Sequence, residues 1–122
     1  MNKYEKLIEI FSAVLKKSND YHIAYIHQVG YVSLVGLYDQ IGKKNLSMKI
    51  DEIFLSPEEM AESLLRNWRW QWFYDNRKLL PRSDYDDICN LDDDLPDCLS
   101  KQYKQDLQSW QDKIRSILQM EV

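Results

Sequence analysis

Ser56-Pro57-Glu58-Glu59 fixes one helix start more firmly than any other feature of the chain. A serine hydroxyl can cap a free amide, proline suits the first helical turn, and a glutamate three positions after the serine completes a capping box. The following segment, MAESLLRNWRWQWFYDNR, then reads as helix although Trp68, Trp70 and Trp72 alternate like strand residues. Two residues advance about 200° around a helix axis, so these three rings do not form one ladder. Met60, Leu64, Trp68 and Trp72 make one i, i+4 stripe, widened by Ala61 and Leu65, and this stripe is expected to enter the core. Trp70 and Tyr74 fall elsewhere on the cylinder. Two positions for Trp70 follow from the pattern: covered by the last helix, or exposed as an anchor of the kind enriched at protein interfaces.

The segments on either side set the fold class. Tyr4, Leu7, Ile8, Phe11, Val14 and Leu15 keep helical spacing and predict one amphipathic helix over residues 2–17, closed by the turn chemistry of Ser18, Asn19 and Asp20. From Tyr21 the residues become β-branched and aromatic, which predicts two antiparallel strands with Gly30 as a bend or bulge between them. IGKKN at 41–45 reads as the next turn, and a third strand is expected near 47–54. Leu99, Tyr103, Leu107, Trp110, Ile114 and Leu118 predict a final helix from about Pro96. This order gives a single α+β domain over residues 1–122, with about three helices packed on a small antiparallel sheet and a long loop at about 81–97. Its expected core is Leu7, Phe11, Leu15, Val32, Leu34, Leu64, Trp68, Trp72, Leu107, Trp110 and Ile114. At 122 residues, 44% of them hydrophobic, the chain suffices for one such core.

Charge divides the chain unevenly. The formal net charge is −4, yet residues 84–97 alone hold seven aspartates and no lysine or arginine, while the remaining residues carry sixteen basic and thirteen acidic groups. A chain with this balance lacks the broad basic face that draws proteins to DNA or RNA. The acidic loop suggests the opposite partner: a basic protein, steered by carboxylates that take the places of phosphates. Small acidic bacterial proteins that neutralise nucleases use this principle. The expected function is therefore a non-enzymatic protein-binding domain, of inhibitor or immunity type, with a nuclease or nucleoprotein as the kind of partner. Its expected contact residues are Trp70, Tyr74, Tyr85, Asp86, Asp87, Asp92, Asp93 and Asp94. The alternative is a single-strand nucleic-acid surface formed by Arg66, Arg69, Trp70 and Arg77, with bases stacked on the aromatic ring.

Chemistry finds little support in the residues. There is no phosphate-binding glycine loop, nucleophile elbow or zinc-protease pattern. His22 and His27 stand five apart in an expected strand, which sends them to opposite faces and away from a shared metal. Cys89 and Cys98 have neither redox nor zinc-knuckle spacing and are expected as free thiols. Were the chain catalytic, Cys89 with His27 would be the pair to examine. No catalytic residue, cofactor or metal site is assigned. The charged amphipathic N-terminus lacks the apolar core of a secretory signal, and no run is long enough to cross a bilayer, so the expected location is the cytoplasm.

Overall fold

A computed structural model describes residues 2–18, 20–37, 47–76 and 97–120. The chain forms α1 (Lys3–Ile10), α2 (Ser12–Lys17), β1 (Tyr21–Ile26), β2 (Gly30–Leu37), β3 (Ser47–Ile53), α3 (Pro57–Asp75) and α4 (Asp97–Leu118). The three strands make one antiparallel sheet in the order β1-β2-β3, as an α+β fold requires. The turn expected at 41–45 lies outside the described residues.

Local chemistry accounts for most of these boundaries. Ser56 Oγ accepts from the Glu59 amide, while Glu59 Oε2 reaches back to the Leu55 amide, one residue before the cap; the expected capping box thus forms with its return bond shifted by one residue, and α3 starts at Pro57. Asn2 caps α1 through the Glu5 amide at 2.8 Å. β1 and β2 are joined by a turn closed by Val29 N–H on Ile26 O, with Gln28 at φ 67° and Gly30 at φ 114°. A side chain is strained at the second angle, which is why glycine stands there.

The N-terminal helix is not continuous. Phe11 leaves helical geometry at φ −95°, ψ 8° and divides the expected helix into α1 and α2. Neither glycine nor proline marks the break; the Phe11 ring is instead stacked on Trp110 with centroids 4.2 Å apart. His27 is likewise displaced from its expected place, because β1 ends at Ile26 and His27 opens the exposed turn.

The helices cover one face of the sheet. Tyr21, Ile23 and Tyr31 point towards them and pack on a core built from Leu7, Phe11, Phe54, Met60, Leu64, Trp68, Phe73, Tyr103, Ile114 and Ile117. α4 runs antiparallel to α1: Lys3 Nζ donates to Leu118 O at 2.7 Å, and Phe11 meets Trp110. That lysine also opposes the negative end of the α4 dipole. Of the expected core, Leu7, Phe11, Val32, Leu64, Trp68 and Ile114 are buried, whereas Leu15, Leu34, Trp72, Leu107 and Trp110 are only half-buried. Phe73 and Tyr103 occupy the depth expected of Trp72 and Leu107, with ring centroids 5.3 Å apart across the α3–α4 contact.

Candidate functional site

The side of α3 turned away from α4 carries Ser63, Arg66, Asn67, Trp70, Gln71 and Tyr74, which recur at intervals of three and four and so share one helix face. With the end of α2, the start of β1 and the C-terminal parts of β2 and β3, this face encloses an open groove of about 810 Å³. Trp70 is 42% exposed and Tyr74 53% exposed, one turn apart along its wall. Trp70 is therefore not covered by α4.

A hydrogen-bond cluster fixes the floor. Ser18 is buried, its Oγ donates to Val14 O at 3.1 Å, and it accepts from Asn67 Nδ2 at 2.8 Å and from Gln71 Nε2. Gln71 Nε2 also donates to Val14 O at 2.7 Å. A backbone carbonyl only accepts, and the Ser18 proton is committed to it, so both amide groups must turn their NH₂ ends towards Ser18. Their carbonyl oxygens accept nothing among the described residues. Alongside, the Tyr21 hydroxyl meets Ser63 Oγ at 2.5 Å.

The sheet contributes acidity through an irregularity. Ser33 pairs with Glu52 but Leu34 with Ile50, leaving Asp51 as the extra residue of a bulge. The buried Ser33 Oγ accepts the Glu52 amide at 3.1 Å beside it. Strict alternation would send adjacent residues to opposite faces; with the bulge, Asp51 and Glu52 both line the groove. Asp20 and Asp75 bring the carboxylates to four, against Lys17 and Arg66 as the two cations. Arg66 is held by Glu52 at 3.1 Å, an exposed pair worth about 0–1 kcal/mol. Asp20, Asp51 and Asp75 form no ion pair among the described residues.

Burial pushes the Tyr21 phenol up to about 12, with Glu52 and Asp51 adding to the rise and the Ser63 hydrogen bond and Arg66 opposing it. The neutral phenol is thus favoured by the fold. Its contribution to stability is full below about pH 10, the ordinary tyrosine value, and is lost as pH climbs towards 12, because the unfolded chain releases the proton first. Unfolding of the native chain and of Tyr21→Phe across this alkaline range should show a steeper loss for the native chain. Parallel curves would contradict the assignment.

Of the residues expected to act, Arg66, Trp70 and Tyr74 come together at the groove, while Arg69 lies elsewhere, with its guanidinium 5.9 Å from the Tyr103 ring centre. Tyr85, Asp86, Asp87, Asp92, Asp93, Asp94, Arg77, Cys89 and the Cys98 side chain lie outside the described residues. His22 sits in β1 and His27 in the following turn. No group of three His, Cys, Asp or Glu side chains placed to hold a metal occurs among the described residues. No helix among them is long and apolar enough to cross a membrane. Sequence reasoning missed Ser18, Asp20, Tyr21, Asp51, Asn67, Gln71 and Asp75. The polar stripe of α3 was visible at helical spacing beside the apolar one; the bulge at Asp51 left no signal in MKIDEI.

No family model matches the chain, and no match was found among curated proteins or solved structures.

Proposed function

We propose that the chain is a non-enzymatic binding domain whose α3 groove receives a basic protein partner, in the manner of an antagonist of a nuclease or nucleoprotein. The observation that carries this reading is the exposed Trp70 beside Asp20, Asp51 and Asp75, three carboxylates without ion pairs among the described residues. Aromatic anchors supply contact area at interfaces, and unpaired charge at the rim steers the approach of an oppositely charged partner. The chain leaves α3 beside this groove, and the seven aspartates of residues 84–97 follow in sequence. They add negative charge to the same stretch of chain.

The nucleic-acid reading draws less support. Arg66 is engaged by Glu52, Arg69 stacks near Tyr103, and the groove's surplus carboxylates repel phosphate. No affinity for single-stranded DNA at low salt is expected; measurable, salt-sensitive binding would favour that reading over the one proposed.

The test compares proteins captured from the native cell by the chain and by its Trp70→Ala, Asp51→Asn, Asp75→Asn variant. A basic protein retained by the first and lost by the second is expected, and it should bind more weakly as salt rises. Partners held equally by both would contradict the proposed site.

A further inference from the structure

We infer that the group this groove recognises is a guanidinium, the head of an arginine side chain on an extended segment of the partner; this rests on the basic-partner reading above. The polarity of the lining is the reason. Both donors of Gln71 and one of the two on Asn67 are engaged by Ser18 and Val14, and the two carbonyl oxygens remain. Asp20, Asp51 and Asp75 offer acceptors alone when ionised, and Glu52 shares its charge with Arg66. With four carboxylates against Lys17 and Arg66, the lining keeps a surplus of negative charge and of acceptors, so an anion is poorly served by it. A guanidinium carries five N–H donors and no acceptor.

Shape distinguishes arginine from lysine. The guanidinium is planar and weakly hydrated, and it stacks on aromatic faces while directing its donors outward in its own plane. Trp70 and Tyr74 expose aromatic surface one turn apart, beside the acceptors of Asn67 and Gln71 on the same helix face. An ammonium satisfies the charge but leaves the spread of acceptors less completely used. The groove, at about 810 Å³, is larger than one side chain needs and has room for flanking backbone.

The experiment uses the full chain and three labelled peptides: alternating glycine-arginine, alternating glycine-lysine, and glycine-citrulline, in which a neutral urea replaces the guanidinium. Affinities are measured by fluorescence anisotropy at low salt, with the Trp70 indole N–H signal followed by NMR and identified through Trp70→Phe. The arginine peptide should bind about fivefold more tightly than the lysine peptide, and this preference should vanish in Trp70→Ala. The citrulline peptide should bind more weakly than either and leave the indole signal in place. Thermal unfolding verifies that the variant, altered at an exposed position, remains folded. Equal affinities for arginine and lysine, or a preference that survives Trp70→Ala, would overturn the guanidinium assignment and leave the basic-partner reading standing. Failure of both cationic peptides to bind would instead contradict that underlying reading.

Discussion

Phe11→Ala should destabilise the fold by about 3–5 kcal/mol, the cost of removing a buried aromatic ring without refilling its space. Phe11 is fully buried and stacks on Trp110 with planes 13° apart, so it joins the N-terminal helices to α4. The residues that would have to close the void are themselves constrained: Leu7 is fully buried one turn away, and Trp110 is also in contact with Trp68 at 6.2 Å between centroids. Domains of this size have total stabilities of roughly 5–15 kcal/mol, so the variant should lose a large share of its margin and sit near its unfolding midpoint at low denaturant. Equilibrium urea unfolding measures this. A loss below about 1 kcal/mol would mean that the α1–α4 contact yields easily, against the packing described.

The second large effect concerns binding. Trp70→Ala should raise the dissociation rate of the partner by about tenfold or more, since truncating a central aromatic anchor at an interface costs about 2 kcal/mol and acts chiefly on departure. The ring is 42% exposed in the unbound chain, so its removal should lower the unfolding midpoint far less than Phe11→Ala does. Carboxylates should act on the other rate. Asp51→Asn with Asp75→Asn, or asparagine at Asp86, Asp87, Asp92, Asp93 and Asp94, should slow association and reduce its salt dependence. Surface plasmon resonance at several ionic strengths separates the two. If Trp70→Ala left the dissociation rate unchanged, the ring would not be an anchor.

Helix α3, the strand region and α4 were legible because each has a local cause: a capping box, β-branched residues with glycine at the turn, and an apolar heptad-like stripe. The break at Phe11 was not, since apolar spacing from Tyr4 to Leu15 continues through it and a tertiary ring stack accompanies it. Phe73 fell off the apolar stripe of α3 yet is fully buried, because a helix flanked on two sides buries more than one face. At the site, Trp70 and Tyr74 were singled out from the sequence, but what surrounds them was not. Asp51 reaches the groove through a bulge, and Ser18 orients two amides that lie forty-nine and fifty-three positions away. Contacts across such separations are decided by packing and leave no trace in local spacing.

The central claim is that the α3 groove is where the partner sits, and mapping the bound surface tests it most directly. Amide and indole NMR signals of the full chain are compared before and after addition of the captured basic protein. The largest changes are expected at Trp70, Tyr74, Asn67 and Gln71, with the exposed Tyr25 and Leu55 at the far end of the sheet unaffected. Changes confined to Tyr25, Leu55 and their neighbours, with the Trp70 indole signal unmoved, would contradict it.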